Sequence, residues 1–210
     1  IDHYKKQKIK DFKRTNLCKD KFCNNCKKVK QASRMAQFIP EIEKIKESGL
    51  YHLVLTSPNV PASELDNNIK SQLKAFPHLI EFFKGKKKIK GLDFEQYGYK
   101  GALRSLEVTY KGNSYHPHLH VLLVADSLDI SEKTIVNSYS KDHHQGGKIV
   151  RKFSEFEILI QKIWRLLLTG ERVTKKNIES LDIGYSCMVD EFEENDYFEL
   201  FKYMTKNSSE

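Results

Sequence analysis

Two histidines separated by one residue, His118 and His120, lie in an apolar run from His118 to Val124 whose composition predicts a β-strand. Side chains alternate along a strand, so both imidazoles share one face while Leu119 points to the opposite face and into the core. Imidazole nitrogens are common ligands of divalent metals. The spacing therefore predicts a divalent-metal site on one face of a sheet.

A carboxylate is expected beside these imidazoles. Residues 103–110 and 118–124 read as two strands, and the segment Lys111 to Tyr115 has the composition of a hairpin turn. A symmetric loop places Glu107 opposite His120 and on the same face. Nitrogen and oxygen ligands with open positions suit Mg²⁺ or Mn²⁺ when phosphate oxygens supply the remaining ligands.

A second pair of reactive side chains, Glu199 and Tyr203, lies near the end of the sequence. On a helix beginning at Asn195 or Asp196 and ending near Lys206, the two share one face. A phenol beside a metal-polarised phosphodiester can attack phosphorus and keep the bond energy as a phosphotyrosine, with Glu199 as a general base. Two lysines could lower the pKa of the phenol or hold phosphate, or simply line a solvated face: Lys202 and Lys206. Together these residues predict a DNA-nicking enzyme.

Each of these residues also has a simpler structural explanation. A His-x-His pair occurs by chance, Glu107 can pair with Arg104 or Lys111, and Tyr203 at helical spacing can belong to the core. The joint occurrence on a basic chain favours the catalytic interpretation.

Three cysteines in the order C-x4-C-x2-C form a second candidate metal site: Cys18, Cys23 and Cys26. Short spacing in a polar, lysine-rich segment predicts structural Zn²⁺, which normally has four ligands. The alternative is three free thiols, and disulfides fit less well. The fourth ligand is open among five candidates: Cys187, His3, His52, His78 and His116.

The positive charge is concentrated near the start of the sequence. The formal net charge is +8, and the first 34 residues carry 12 Lys or Arg against three Asp. This surplus predicts a contact surface for a polyanion such as DNA, with four lysines around the cysteines as candidates: Lys19, Lys21, Lys27 and Lys28. A second cluster, Lys84 to Lys90, is equally consistent with a solvated charged surface.

Hydrophobic periodicity and turn residues predict the order of elements. Helices are expected over Gln31 to Glu47, Ala62 to Phe83 and Glu155 to Leu168, the second with Ser63 as a cap and an interruption at Pro77. Strands are expected over Leu50 to Thr56 and Ile183 to Val189. Residues 84–101 and 126–147 are expected to be loops. This order predicts an α+β fold: a split βαβ sandwich of the ferredoxin or RRM type, with a central antiparallel sheet and helices on one face.

The overall composition limits the class of protein. At 210 residues, one catalytic domain is expected, with residues 1–48 as a basic, Cys-rich segment packed on a nuclease core of 49–210. No apolar run approaches the roughly 20 residues needed to span a membrane. A start at Ile1 without a signal-peptide pattern suggests an internal fragment of an intracellular, cytoplasmic protein.

The segment Tyr115-His-Pro-His-Leu-His-Val-Leu-Leu123 resembles the HUH motif of rolling-circle replication initiators, above all the single-tyrosine Rep proteins of small Gram-positive plasmids. Other segments are similar to that family in the same order: the cysteine cluster 18–26, the strand Leu53 to Val60, the strand Ala102 to Thr109, and Glu199-x3-Tyr203. The resemblance runs from about Asn16 to Lys206.

The resemblance implies roles for these residues. Tyr203 is the nicking nucleophile, His118 and His120 are metal ligands with Glu107 as the third, and Glu199 directs hydrolysis at termination. His116 also matches the family, with DNA contact, support of the metal ligands and zinc binding all open. The family usually has Pro between its last two cysteines, where this chain has Asn24-Asn25.

The implied partners are a plasmid double-strand origin, nicked at a single-stranded site in a hairpin, and a host helicase; dimerisation is left open. The first alternative function is a relaxase or transposase with the same metal-and-tyrosine chemistry. Relaxases tend to carry a third histidine and an N-terminal tyrosine, and compact HUH transposases are shorter, so neither suits the order of motifs in this sequence. A zinc-stabilised DNA-binding regulator without catalysis is the alternative from a different class.

Overall fold

The structure is a computed structural model that describes residues 48–140 and 148–192, with six further positions in the N-terminal part: Cys18, Cys23, Cys26, Val29, Ser33 and Pro40. The chain forms two compact units, Ile1–Lys46 and Glu47–Glu210. Packing of the first on the second stays a prediction. The predicted final helix lies outside the described residues. The predicted helix of residues 31–47 also lies outside them, except for Ser33 and Pro40, which are helical.

The described part of the second unit contains six strands and three α-helices. The strands are β1 Gly49–Thr56, β2 Gly101–Lys111, β3 Ser114–Ala125, β4 Ile135–Ser140, β5 Lys148–Phe153 and β6 Cys187–Glu191. The helices are α1 Ala62–Phe83, α2 Glu155–Thr169 and α3 Lys175–Ser180.

Four strands form a central sheet in the order β2-β3-β1-β6, and each neighbouring pair is antiparallel. Consequently β1 and β2 run in the same direction with β3 between them. The expected mixture of helices and strands around a central antiparallel sheet is confirmed.

The hydrophobic core lies on one face of this sheet. Alternate strand residues such as Leu53, Leu119 and Val121 have no exposed surface and pack in one cluster with apolar residues of α1 and α2, including Trp164. The intervening strand residues point to the opposite face. None of the helices in the described ranges combines the length and apolar character needed to cross a membrane.

Helix α2 begins and ends at residues whose types favour those positions. The Ser154 side chain accepts a hydrogen bond from the Glu157 backbone N–H, and the Glu157 carboxylate accepts one from Ser154, which forms a capping box. Gly170 follows the helix in the left-handed conformation, at φ 75°. The helix predicted from Glu155 to Leu168 is thus confirmed to within one residue.

The bounds predicted for α1 are correct, but two details are wrong. The N-cap is Pro61, with no side-chain cap hydrogen bond, rather than Ser63. Pro77 lies inside a continuous helix. A proline lacks the N–H that would bond the carbonyl four residues earlier, and here that carbonyl, of Leu73, accepts a hydrogen bond from Arg104 Nη1 at 3.0 Å. This replacement partner explains why the helix tolerates the proline.

Two other predictions also differ from the structure. The segment expected to be a loop up to Gly147 contains β4, which pairs with β5 as a separate two-stranded ribbon. The last strand begins at Cys187 rather than at Ile183. The preceding segment instead bonds α2, since Tyr185 N donates to Gln161 O, and a Cβ at Gly184 would collide with the backbone there.

Candidate metal centre

The pairing of β2 with β3 brings Glu107 directly opposite His118, while Ser105 lies opposite His120. The expected pairing of Glu107 with His120 is therefore wrong by two residues. The turn consists of Gly112 at φ 59° and Asn113 at φ 64°, the left-handed conformations of a two-residue hairpin turn. The turn is centred between Gly112 and Asn113, one position earlier than the pairing of Glu107 with His120 would require.

The three predicted ligand side chains nevertheless converge. His118 Nε2 lies 3.1 Å and His120 Nε2 lies 2.8 Å from the same Glu107 Oε2, and the three ligand atoms lie within 4.8 Å of one another. Neighbouring ligands at the bond lengths of an octahedral Mg²⁺ are about 3.0 Å apart. The spacing therefore fits a small divalent ion.

The hydrogen bonds of His118 give an independent chemical argument for a cation. Its Nδ1 lies 3.1 Å from the His116 carbonyl oxygen, which can only accept, so Nδ1 carries a proton. In a neutral ring Nε2 then holds a lone pair that faces the Glu107 carboxylate oxygen. Two lone pairs at 3.1 Å require a positive charge between or beside them. Either a proton or a metal ion between His118 Nε2 and Glu107 Oε2 would supply this positive charge.

His52 contacts the site and was considered in the sequence only as a zinc ligand. Its Nε2 lies 2.9 Å from His120 Nδ1, and the two rings stack with centroids 5.2 Å apart. Burial, reinforced by the neighbouring His120, lowers the pKa of His52 to about 4, against an opposing effect of Asp190. Alternation in β1 indicates the face, because it places His52 on the face opposite Leu53 and thus on the histidine face, but the contact itself depends on β1 lying beside β3.

A buried polar network supports the backbone just before His118. Gln72 on α1 has no exposed surface, and its Nε2 donates to the Pro117 carbonyl at 2.9 Å and contacts Ser57 Oγ at 3.0 Å. These contacts tie β3 to α1 and to the end of β1. They hold the strand that presents the imidazoles.

The cysteine cluster has the donor chemistry for zinc. The Sγ atoms of Cys18, Cys23 and Cys26 lie within 4.8 Å of one another, with Cys18 and Cys26 at 3.4 Å. Thiolates bound tetrahedrally to one Zn²⁺ are about 3.8 Å apart. None of the four cysteines of the chain forms a disulfide bond.

Three candidates for the fourth zinc ligand have other contacts. Cys187 is fully buried in the core of the sheet unit, and burial raises its pKa well above the ordinary value, which opposes the thiolate form. His52 contacts His120, and His78 pairs with Glu81 at 3.0 Å. His3 lies outside the described residues.

His116 is half-buried, and its ring lies 5.1 Å from that of His118. Burial, with a smaller effect of His118, lowers its pKa. Its backbone carbonyl accepts a hydrogen bond from the ring of His118, while its imidazole packs against that ring. A DNA-binding role of the imidazole stays a prediction.

Several predicted site residues lie outside the described residues: Tyr203, Glu199, Lys202, Lys206, Lys19, Lys21, Lys27 and Lys28. The second basic cluster is described, and all five of its lysines are exposed: Lys84, Lys86, Lys87, Lys88 and Lys90. Lys87 pairs with Glu81 at 2.8 Å, and Lys88 lies 3.4 Å from Glu95.

Comparison with known proteins gives the family. Residues 9–135 match the Replication protein family. A protein named Protein rep from Staphylococcus aureus is 33% identical over 57% of this chain and 50% of its own length, and another from Streptococcus pneumoniae is 34% identical over 53% of this chain and 33% of its own. A third Protein rep, from Bacillus amyloliquefaciens, is 29% identical over 51% of this chain and 30% of its own length.

The chain spans half or less of the length of these curated relatives. No solved structure matches it. The family match covers the N-terminal cysteines, Glu107 and the histidines at 116, 118 and 120. The chain belongs to the Replication protein family of rolling-circle plasmid Rep proteins.

Proposed function

We propose that this chain initiates rolling-circle plasmid replication by nicking and rejoining one DNA strand at a double-strand origin. The observation that supports this most directly is the convergence of His118 Nε2 and His120 Nε2 on one oxygen of Glu107. The family supports the replication role, and the ligand set supports a metal-assisted phosphoryl transfer.

Glu107, His118 and His120 would hold Mn²⁺ or Mg²⁺. The chemistry that the bound ion supplies is Lewis acidity toward the non-bridging oxygens of the scissile phosphate. The two imidazoles and the carboxylate are held by the sheet, so they offer a site of fixed geometry into which one phosphodiester can be placed.

Tyr203 is the proposed nucleophile. Its Oη attacks phosphorus in line with the 3′ oxygen, the new P–O bond forms as the old one breaks, and the phenol proton is released while the 3′ oxygen leaves as a hydroxyl. The 5′ end stays linked to the enzyme, so rejoining needs no ATP. Glu199 activates water, or an incoming hydroxyl, at the end of a round.

DNA binding is proposed to depend on the basic side chains. Lysines near the cysteines, with Lys202, Lys206 and the exposed cluster 84–90, would contact phosphates of the origin and give an affinity that falls with salt. His116 is a further candidate contact. The nick site itself must be single-stranded to reach the tyrosine, as in an extruded hairpin.

Cys18, Cys23 and Cys26 would bind structural Zn²⁺, and the strand order β2-β3-β1-β6 supports a split βαβ sandwich. A role on plasmids would place the protein in the bacterial cytoplasm with a host helicase. A dimer is not needed for this chemistry.

The experiment is covalent capture. Purified protein with Mn²⁺ is incubated with a library of single-stranded oligonucleotides, and adducts are separated on a denaturing gel and sequenced. We expect one adduct, on Tyr203, with an enriched DNA sequence. Tyr203→Phe should abolish the adduct and leave origin binding unchanged.

Tyr110→Phe is the matched control, because this phenol is 61% exposed in the strand before the β2–β3 turn. It should form the adduct at the wild-type rate. Absence of any adduct with Mn²⁺ or Mg²⁺, together with retained origin binding, would contradict nicking and favour a DNA-binding regulator.

A further inference from the structure

The imidazole of His52 is placed to act on the metal centre through His120. In the register of β1 with β3, His52 lies opposite Leu122 and is therefore the diagonal neighbour of His120 on the same face. The two rings are nearly parallel, with an interplanar angle of 12°. Phe192 also packs against the ring of His52, with the two ring centroids 5.5 Å apart.

The nitrogen atoms used in these contacts define the direction of the hydrogen bond. His120 turns Nε2 to Glu107 at 2.8 Å and Nδ1 to His52 Nε2 at 2.9 Å. A neutral histidine that binds a metal through Nε2 carries its proton on Nδ1. With a metal bound at Nε2, His120 Nδ1 therefore donates, and His52 Nε2 accepts with its lone pair.

The two ligand histidines are supported differently. His118 Nδ1 donates to the backbone carbonyl of His116, a partner that no substitution at that position removes. His120 depends on a side chain. Partners of this kind fix the tautomer and orientation of a metal-binding imidazole, and their loss typically costs about 10- to 100-fold in metal affinity.

We propose that His52 is a positioning residue of the divalent-metal site, which accepts a hydrogen bond from His120 Nδ1 and so holds His120 Nε2 toward the ion. The inference rests on the proposed function insofar as Glu107, His118 and His120 bind a metal. It adds a residue on a third strand to that site and makes β1 part of it.

Two variants separate the hydrogen bond from the packing of the ring. His52→Phe keeps an aromatic ring against His120 and Phe192 but has no acceptor, whereas His52→Gln places an amide oxygen where Nε2 was. Mn²⁺ affinity is measured from the electron paramagnetic resonance signal of free Mn²⁺, without DNA. We expect the dissociation constant to rise about 10- to 100-fold in His52→Phe and to stay near the wild-type value in His52→Gln.

His78→Phe serves as the matched control. His78 is a histidine of α1 that pairs with Glu81, and its replacement should leave Mn²⁺ affinity unchanged. Thermal unfolding of the metal-free proteins shows that each variant is folded. A second readout is the hydrogen bond itself in the Mg²⁺-bound wild type, measured by ¹⁵N NMR as a coupling between His120 Nδ1 and His52 Nε2, which we expect to observe.

The outcomes distinguish this inference from the proposed function. Unchanged Mn²⁺ affinity in folded His52→Phe, or no coupling between His120 Nδ1 and His52 Nε2 in the metal-bound wild type, would overturn the role of His52 and leave the metal site standing. Equal losses in His52→Phe and His52→Gln would also overturn it. Failure of the wild type to bind Mn²⁺ would overturn both, and the NMR result decides the question if His52→Phe does not fold.

Discussion

The sheet cluster of Glu107, His118 and His120 and the cysteine cluster of Cys18, Cys23 and Cys26 are assembled in different ways. Both histidines of the first are buried, at 8% and 6% exposure, and each is oriented through Nδ1 by a second group. The cysteines lie within eight positions of one another, and Cys18 is exposed.

From this difference we expect two kinds of metal site. The sheet cluster depends on strand register and packing, so its geometry is largely set by folding and suits catalysis. The cysteine cluster depends on local sequence, and in sites of that kind metal binding itself supplies folding free energy. Removing metal should therefore affect activity at the first site and local structure at the second.

The largest expected effect is loss of a ligand from the sheet cluster. Glu107→Ala removes the oxygen that both imidazoles contact, and we expect nicking to fall at least a thousandfold, about 4 kcal/mol of transition-state stabilisation. Single-turnover cleavage of an origin oligonucleotide measures this. Glu179→Ala, at an exposed carboxylate of α3, is the control and should cleave normally; cleavage by Glu107→Ala within tenfold of wild type would contradict the assignment.

The second effect tests whether the sheet cluster depends on long-range packing. The buried Glu157 carboxylate accepts hydrogen bonds from Val189 N and Ser154 N and contacts Lys133 Nζ. Glu157→Ala leaves these donors without an acceptor, and we expect the free energy of unfolding to fall by about 3 kcal/mol. Urea denaturation measures the change.

Glu155→Ala is the matched control for this variant. Glu155 is exposed in the same first turn of α2, and its loss should cost less than about 1 kcal/mol. In Glu157→Ala, Mn²⁺ binding should be lost at the urea concentration that unfolds the sheet. Mn²⁺ binding that persists beyond sheet unfolding would contradict a preformed site.

The third effect compares the thiols. Burial raises the pKa of Cys187, with a smaller contribution from Glu157, so its thiolate fraction is lower than that of an ordinary cysteine at any given pH. With a thiol reagent at pH 8, the three N-terminal cysteines of metal-free protein should react at least about 100-fold faster than Cys187.

Zinc should protect the three N-terminal cysteines and leave Cys187 unchanged. Mass spectrometry of peptides from the labelled protein gives the rate at each site. Labelling of Cys187 at the rate of the others in native protein would show that the core thiol is accessible and would reopen it as a zinc ligand.

The sequence predicted the members of the sheet cluster better than their pairing. His118 and His120 follow from alternation, and Glu107 follows from lying on the neighbouring strand with the correct parity. Which residue lies opposite Glu107 depends on the turn. Because Gly112 and Asn113 both adopt positive φ, the turn is centred one position earlier than the predicted pairing with His120 requires. A shift by one residue in the turn moves the register by two.

Other features were not predictable from local sequence because they depend on contacts far along the chain. Pro77 reads as an interruption until Arg104 is seen to bond the Leu73 carbonyl. Likewise, the contact of His52 with His120 depends on β1 lying beside β3. The mixture of helices and strands around an antiparallel sheet followed from the predicted element order, although that order missed β4, β5 and α3.

The smallest expected effect concerns that turn. Asn113→Ala places an ordinary side chain at φ 64° and should lower the free energy of unfolding by about 1 kcal/mol, while Asn113→Gly should change it by less than about 0.5 kcal/mol. Chemical denaturation of both variants gives the difference. Equal stability would show that the turn does not hold Glu107 opposite His118.

We propose above all that Glu107, His118 and His120 bind one divalent ion. Anomalous diffraction from crystals grown with Mn²⁺ tests it most directly. We predict a manganese peak at bonding distance, about 2.0–2.3 Å, from His118 Nε2, His120 Nε2 and a Glu107 carboxylate oxygen. A manganese peak elsewhere, or none between these three side chains at saturating Mn²⁺, would contradict it.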